Sequence, residues 1–140
     1  MTHYHRFPAL LRLAGLAVAL SISACAGSPA RPQSIEQRAQ ARWDALLGKD
    51  FEQAYSYLSP GFRSSQSLSD FEMAFRLRRV QYDSAKYMDQ QCETDACTIR
   101  LNIGYMLIAP LRGVKAWKSN TVVEEKWVRI DGQWWFLPDS

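Results

Sequence analysis

The hydrophobic pattern of this chain changes period once, at Arg79, and that change constrains the fold more than any other feature. Before it apolar residues recur at helical spacing; after it they alternate. Ile35, Ala39, Trp43, Leu46 and Leu47 form one helical stripe, which Ser34 can cap with Gln37 completing a capping box. Gly48 is expected to end this helix in a left-handed conformation. Asp50 caps a second helix with Phe51, Ala54, Tyr55 and Leu58 inward, and Ser59-Pro60-Gly61 stops it. Arg63 to Gln66 reads as a loop, after which Ser67 and Asp70 open a third helix bearing Leu68, Phe71, Ala74 and Phe75.

Val80 to Gln91 reads as a strand with a bulge. Ile99, Leu101, Ile103, Tyr105 and Leu107 then alternate with Thr98, Arg100, Asn102 and Gly104, which buries one face of a second strand. Pro110 ends it. Thr121–Ile130 and Gln133–Leu137 complete the set, joined by Asp131-Gly132, a pair suited to a tight hairpin. Three helices followed by a four-stranded antiparallel meander make an α+β fold, with the helices gathered on one sheet face.

A second feature lies ahead of the fold. Met1–Arg12 is polar and basic, and Leu13–Ala24 is an uncharged run of twelve residues. A spanning helix needs roughly 20 apolar residues, so the run is too short and reads as the core of a signal peptide over residues 1–24. It closes on Ile22-Ser23-Ala24-Cys25, which resembles the bacterial lipobox. The resemblance implies cleavage before Cys25, a diacylglycerol on its thiol and acylation of the new amine. An ordinary secretory signal with an incidental cysteine is the plainer alternative. Each buried methylene contributes about 0.8 kcal/mol and two or more acyl chains anchor stably, so a lipidated chain stays on its membrane. Ala26, where an aspartate is absent, is similar to outer-membrane lipoproteins and implies an anchor facing the periplasm. Residues 25–33, polar with Pro29 and Pro32, read as the lipidated tether, and 34–138 as the domain.

That partition empties the catalytic inventory. His3 and His5 depart with the signal, and so do Arg6 and Arg12. The whole chain has 17 basic against 14 acidic side chains; without those two arginines the balance is 15 against 14, a net +1. A Ser-His-Asp or Cys-His nucleophile, a histidine metal site and charge-driven nucleic-acid binding are thereby excluded from the expected mature chain. No metal and no cofactor is expected. With Cys25 acylated, Cys92 and Cys97 remain, separated by Glu93-Thr94-Asp95-Ala96 and within reach of a bond across a hairpin mouth. A structural disulfide is expected in an exported protein. A redox pair is the sharper alternative, although such motifs usually enclose two residues at a helix start.

The run Ala39-Gln40-Ala41-Arg42-Trp43-Asp44-Ala45-Leu46-Leu47-Gly48-Lys49-Asp50-Phe51-Glu52-Gln53-Ala54-Tyr55 resembles the opening of nuclear-transport-factor-2-like (cystatin-like) domains. Leu58-Ser59-Pro60 and the ending Trp127-Val128-Arg129-Ile130-Asp131-Gly132-Gln133-Trp134-Trp135 are similar to that superfamily's pattern too. The resemblance implies a cone: a curved sheet wrapped round the first helix, with a cavity between them. Such domains include enzymes, small-molecule binders and interaction modules, so fold alone selects no function.

With no mature histidine, acid–base chemistry would fall to carboxylates and tyrosines. Asp44 lies about 100° off the apolar stripe of the first helix and reads as solvated. No residue matches a catalytic motif. The aromatic content is the stronger signal: Trp43, Tyr55, Phe71, Phe75, Tyr105, Trp117, Trp127, Trp134 and Trp135 are the candidate pocket or interface residues. Trp134 and Trp135 are neighbours on a strand and must point to opposite faces. One therefore meets a second surface: packing residues, a dimer partner or a ligand. Arg76, Arg78 and Arg79 suit a helix C-terminus, with anionic headgroups as an alternative partner. The loop Pro110–Asn120 carries Arg112, Lys115, Trp117 and Lys118, placing Trp117 either on the cone mouth or at a membrane interface. The expected function is a membrane-anchored, non-enzymatic module for a small apolar ligand or another envelope protein, with a homodimer possible. The alternative is an isomerase- or dehydratase-type enzyme using a buried carboxylate in the cone.

Overall fold

Ser34 opens the first helix as its side chain predicts. Its hydroxyl accepts from the Gln37 amide (3.2 Å), while the Gln37 side chain accepts from the Ser34 amide (3.0 Å). The computed structural model describes residues 33–107 and 117–139. The expected signal peptide, Cys25 and almost all of the tether lie outside these residues, as do Pro110, Arg112 and Lys115. The elements run α1 (Ile35–Leu47), α2 (Phe51–Ser56), α3 (Pro60–Ser65), α4 (Leu68–Arg76), β1 (Val80–Cys92), β2 (Ala96–Leu107), β3 (Trp117–Ile130) and β4 (Gln133–Leu137).

The left-handed residue after α1 is Lys49 (φ 60°), not Gly48, which stays right-handed (φ −74°). The hydrogen bonds explain the displacement. Lys49 N–H donates to Leu46 and Asp50 N–H to Ala45, the paired bonds of a Schellman ending, which puts the left-handed position one residue later. Asp50 is then free to cap α2 through the Gln53 amide.

The described residues form four helices rather than three. Ser59-Pro60 stops α2 and also starts α3: Ser59 accepts from the Phe62 amide, and proline is well suited to a first helical position. The residues read as a loop from Arg63 therefore complete a short helix. The α+β architecture is unchanged, because α3, like the other helices, precedes all four strands in the chain.

The sheet is an antiparallel meander in the order β1-β2-β3-β4. β1 carries two register shifts against β2, between Tyr82 and Ser84 and between Tyr87 and Asp89. Such irregularities bend a strand and add twist. Cys97, Ile99, Leu101 and Ile103 from β2 and Trp127 from β3 bury against Ile35, Ala39, Trp43 and Leu46 of α1. Asp131 and Gly132 both take positive φ (52° and 77°), as a type I′ hairpin requires. The outer edge of β4 is covered, since Ser59 N–H donates to Phe136 and Phe136 N–H to Tyr57. β3 begins at Trp117, four residues earlier than its sequence pattern suggested, with Trp117 opposite Leu107.

Candidate functional site

The helices do not fill the inner face of the sheet. A cleft of about 390 Å³ remains, walled by Arg42, Trp43 and Leu46 of α1 and by Phe71 and Phe75 of α4. Arg78 and Tyr82 flank it at the α4–β1 junction, and Val123, Glu125 and Phe136 line it from β3 and β4.

Glu125 arrives there by strand alternation. Val123, Glu125 and Trp127 share the helix-facing side of β3, and Glu125 pairs in register with buried Ile99. It is a carboxylate only 3% exposed, so its charge must be answered locally. Three donors answer it. Arg42 Nη1 reaches Oε1 at 2.6 Å, Trp43 Nε1 reaches the same oxygen at 2.7 Å, and Trp127 Nε1 reaches Oε2 at 3.1 Å. Arg42 and Trp43 are consecutive on α1, so one helix supplies two of the three.

Arg42 is itself buried, and its guanidinium lies over the Phe136 ring at 3.8 Å from the centroid. Burial lowers its proton affinity from the ordinary arginine value, Glu125 opposes that by charge and hydrogen bond, and the like charge of Arg78 adds to the lowering. The side chain stays a cation at any physiological pH. Its Nε–H is buried with no hydrogen-bond partner among the described residues.

From the cluster a chain of contacts leads outward. Tyr82 meets Trp43 edge-on at 5.3 Å and Phe75 at 5.6 Å, and its hydroxyl accepts from Arg78 Nη1 at 3.1 Å. Arg78, exposed, stacks on Phe75 at 5.2 Å. A second cleft of about 460 Å³ lies on the other side of this wall and shares Leu46, Phe75, Arg78 and Tyr82 with the first.

Of the nine aromatic candidates, the structure brings Trp43, Phe71 and Phe75 together in the cleft. Trp127 is fully buried and bonded to Glu125. Tyr55 is half-buried and donates to the Gln66 carbonyl (2.6 Å), tying α2 to the α3–α4 connection. Tyr105 is half-buried on the inward side of β2, and Trp117, 69% exposed, is at the far end of the sheet. Trp134 is buried with the Arg129 guanidinium over its ring at 4.4 Å. Trp135, on the opposite side of β4, meets both Arg38 (5.3 Å) and Arg63 (5.2 Å). Its second surface is thus intramolecular. Cys92 and Cys97 are bonded across the β1–β2 turn, away from the cleft. Asp44 is exposed and accepts from Gln40 (2.9 Å), in keeping with its solvated reading.

Sequence reasoning missed Arg42 and Glu125, and both carried a signal. Glu125 stands two residues from Val123 and from Trp127, in phase with the inward side. Arg42 stands three after Ala39 and four before Leu46, on the same helical stripe.

No protein-family profile and no curated protein matches the chain. Solved structures do. A SEC-C motif-containing protein from Rhodopseudomonas palustris superposes with a TM-score of 0.57 at 13% identity, over 74% of each chain. Another from Psychrobacter arcticus gives 0.59 at 11% identity, over 80% of this chain and 63% of that one. An NTF2-like transpeptidase from Campylobacter jejuni aligns at 14% identity and a TM-score of 0.48, over 76% of this chain and 100% of that one. The two SEC-C motif-containing proteins share this α+β fold of helices against an antiparallel meander. At these identities the likeness is one of architecture alone. That shared frame carries α1 along the sheet's inner side and delivers Arg42 and Trp43 to its floor, and it assigns no chemistry to them.

Proposed function

We propose that this chain is a cell-envelope lipoprotein, anchored through Cys25 in the outer membrane and facing the periplasm, whose domain holds a small, mostly apolar molecule in the cleft. The anchor reading is supported by the basic start, the short apolar run and Ile22-Ser23-Ala24-Cys25. The binding reading rests on one observation, the cleft of about 390 Å³ walled by Trp43, Phe71, Phe75 and Phe136. Its volume is that of small-molecule sites, and its lining sets these aromatic rings beside charged and polar groups such as Arg42, Gln66 and Arg78.

The buried carboxylate favours a second reading, proton abstraction by Glu125 in an isomerase- or dehydratase-type reaction. Its surroundings argue against that role. Both oxygens already accept hydrogen bonds from Arg42, Trp43 and Trp127, so taking a substrate proton would displace one of them. Glu125 serves better as the counter-charge that holds Arg42 and Trp43 in the floor.

Two experiments test the proposal. Cys25→Ala should leave an unprocessed precursor of altered membrane fractionation; unchanged size and fractionation would refute the anchor. Protein extracted from its native membrane should carry a small apolar molecule, detected by mass spectrometry and lost in Ala74→Trp, which fills the cleft from α4. Extraction with nothing bound would remove the binding reading.

A further inference from the structure

Two guanidinium groups converge on the cleft, and one carboxylate answers them. Glu125 is committed to Arg42 and to two indoles. Arg78 stacks on Phe75 and donates to the Tyr82 phenol, so its partners among the described residues are neutral. The other acids along the wall are spoken for: Asp139 pairs with Lys126 (3.2 Å), and Glu124 belongs to the outward side of β3, opposite Arg100. The Nε–H of Arg42, a side chain more than nine-tenths buried, has no acceptor. A buried donor without a partner carries an appreciable desolvation penalty, and a second cation nearby adds to it.

We propose that the cleft takes an apolar monoanion of the carboxylate class, its charged end between Arg78 and Arg42 and its apolar body on Phe62, Phe71 and Phe75. The inference rests on the cleft being a binding site and specifies what it binds. An incoming carboxylate supplies a counter-charge to the two guanidinium groups that line the cleft, and hydrogen bonds between ionised partners are roughly twice as strong as neutral ones. An uncharged ligand of the same shape gains the aromatic contacts only. Arg78 suits the outer role because it is exposed and its bond to Tyr82 can be exchanged for one to the ligand.

The test uses the full lipidated chain reconstituted in nanodiscs, with empty nanodiscs titrated as the blank. Octanoate and octan-1-ol, equal in chain length and different in head charge, are titrated at neutral pH by calorimetry. Octanoate is expected to bind about tenfold more tightly than octanol, the effect of one charge-assisted contact. Arg78→Gln, a change at an exposed position, should cut the octanoate preference severalfold, leaving only what Arg42 supplies, and leave octanol unaltered. Equal affinity for the two probes in the unsubstituted protein, or a preference that Arg78→Gln leaves undiminished, overturns the monoanion proposal while the cleft remains a binding site. Failure of both probes to bind overturns the proposal together with the binding reading beneath it.

Discussion

The two sides of the sheet each carry an arginine–carboxylate pair, and the pair with the better geometry is the one that matters less. On the solvent side, Arg100 of β2 grips Asp89 of β1 with two hydrogen bonds, from Nε (2.8 Å) and Nη2 (2.5 Å), across the strands. On the helix side, Arg42 gives Glu125 a single bond, and two indoles supply the rest. Water surrounds the first pair and screens it, so either partner is well hydrated if the other is removed. The second pair has given up its water, and neither partner tolerates the loss of the other. Environment, not bond count, separates a surface ornament from a constraint that fixes α1 on β3.

The sharpest way to break that contrast is Glu125→Ala. It leaves Arg42 charged and buried without its counter-ion, and a loss of about 3–5 kcal/mol in unfolding free energy is expected from denaturant midpoints. Replacing both partners, Arg42→Met with Glu125→Leu, should restore most of that stability, since apolar substitutes for a buried pair are often neutral or better. If the double variant is no more stable than Glu125→Ala alone, the damage lies in lost packing and the comparison between the two sides fails.

Next in size is the disulfide between Cys92 and Cys97, which closes the β1–β2 turn with exposed Cys92 joined to core residue Cys97. Replacing both cysteines by alanine, which puts no hydroxyl into the core at Cys97, should cost about 2 kcal/mol in the chain-entropy account of so short a loop. The site should feel nothing: the affinity of the cleft for octanoate is expected to be the same with the bridge present or absent. A change in affinity would mean that the turn and the cleft are coupled through β2.

The frame was far more legible than the floor of the cleft. Helix caps at Ser34, Asp50 and Ser67, the alternation from Ile99 to Leu107 and the Asp131-Gly132 hairpin are local signals, each carried by a few neighbouring residues. α3 was hidden because Ser59-Pro60 is equally a stop and a start. The Arg42–Glu125 pair was hidden for a different reason. Its partners are 83 residues apart, and a charged side chain on an apolar stripe looks like the edge of that stripe until the opposing charge is known. The aromatic list found the walls, because aromatic bulk is informative at any distance. It could not separate Phe71 and Phe75, which line the cleft, from Trp135, whose role is set by Arg38 and Arg63 on other helices.

Trp135 offers an intermediate test. Its ring meets two guanidinium groups at a half-buried position, and cation–π contacts of this kind contribute about 0.5–1 kcal/mol each. Trp135→Leu keeps an apolar side chain and removes the ring, so a loss of about 1–2 kcal/mol is expected, below that of Glu125→Ala. A loss equal to the latter would place the solvent side of β4 on the same footing as the inner side.

Asp89→Asn should have the smallest effect, and its pH dependence gives the contrast a sign. The hydrogen bond from Arg100 holds the Asp89 carboxyl below the usual carboxylate range, with the arginine's charge acting in the same direction against a little desolvation. The folded chain therefore binds that proton less readily than the unfolded chain does. The stabilisation is fully present above the ordinary aspartate value, about 3.9, and is lost as the pH falls through the lower folded-state value. Unfolding midpoints of Asp89→Asn and the unsubstituted protein should differ slightly at pH 7 and in low salt. They should converge in acid, and converge also at neutral pH when salt is raised. A difference that widens in acid, or that salt leaves untouched, would mean that this pair is not screened by water. The two sides of the sheet would then differ less than their exposure implies.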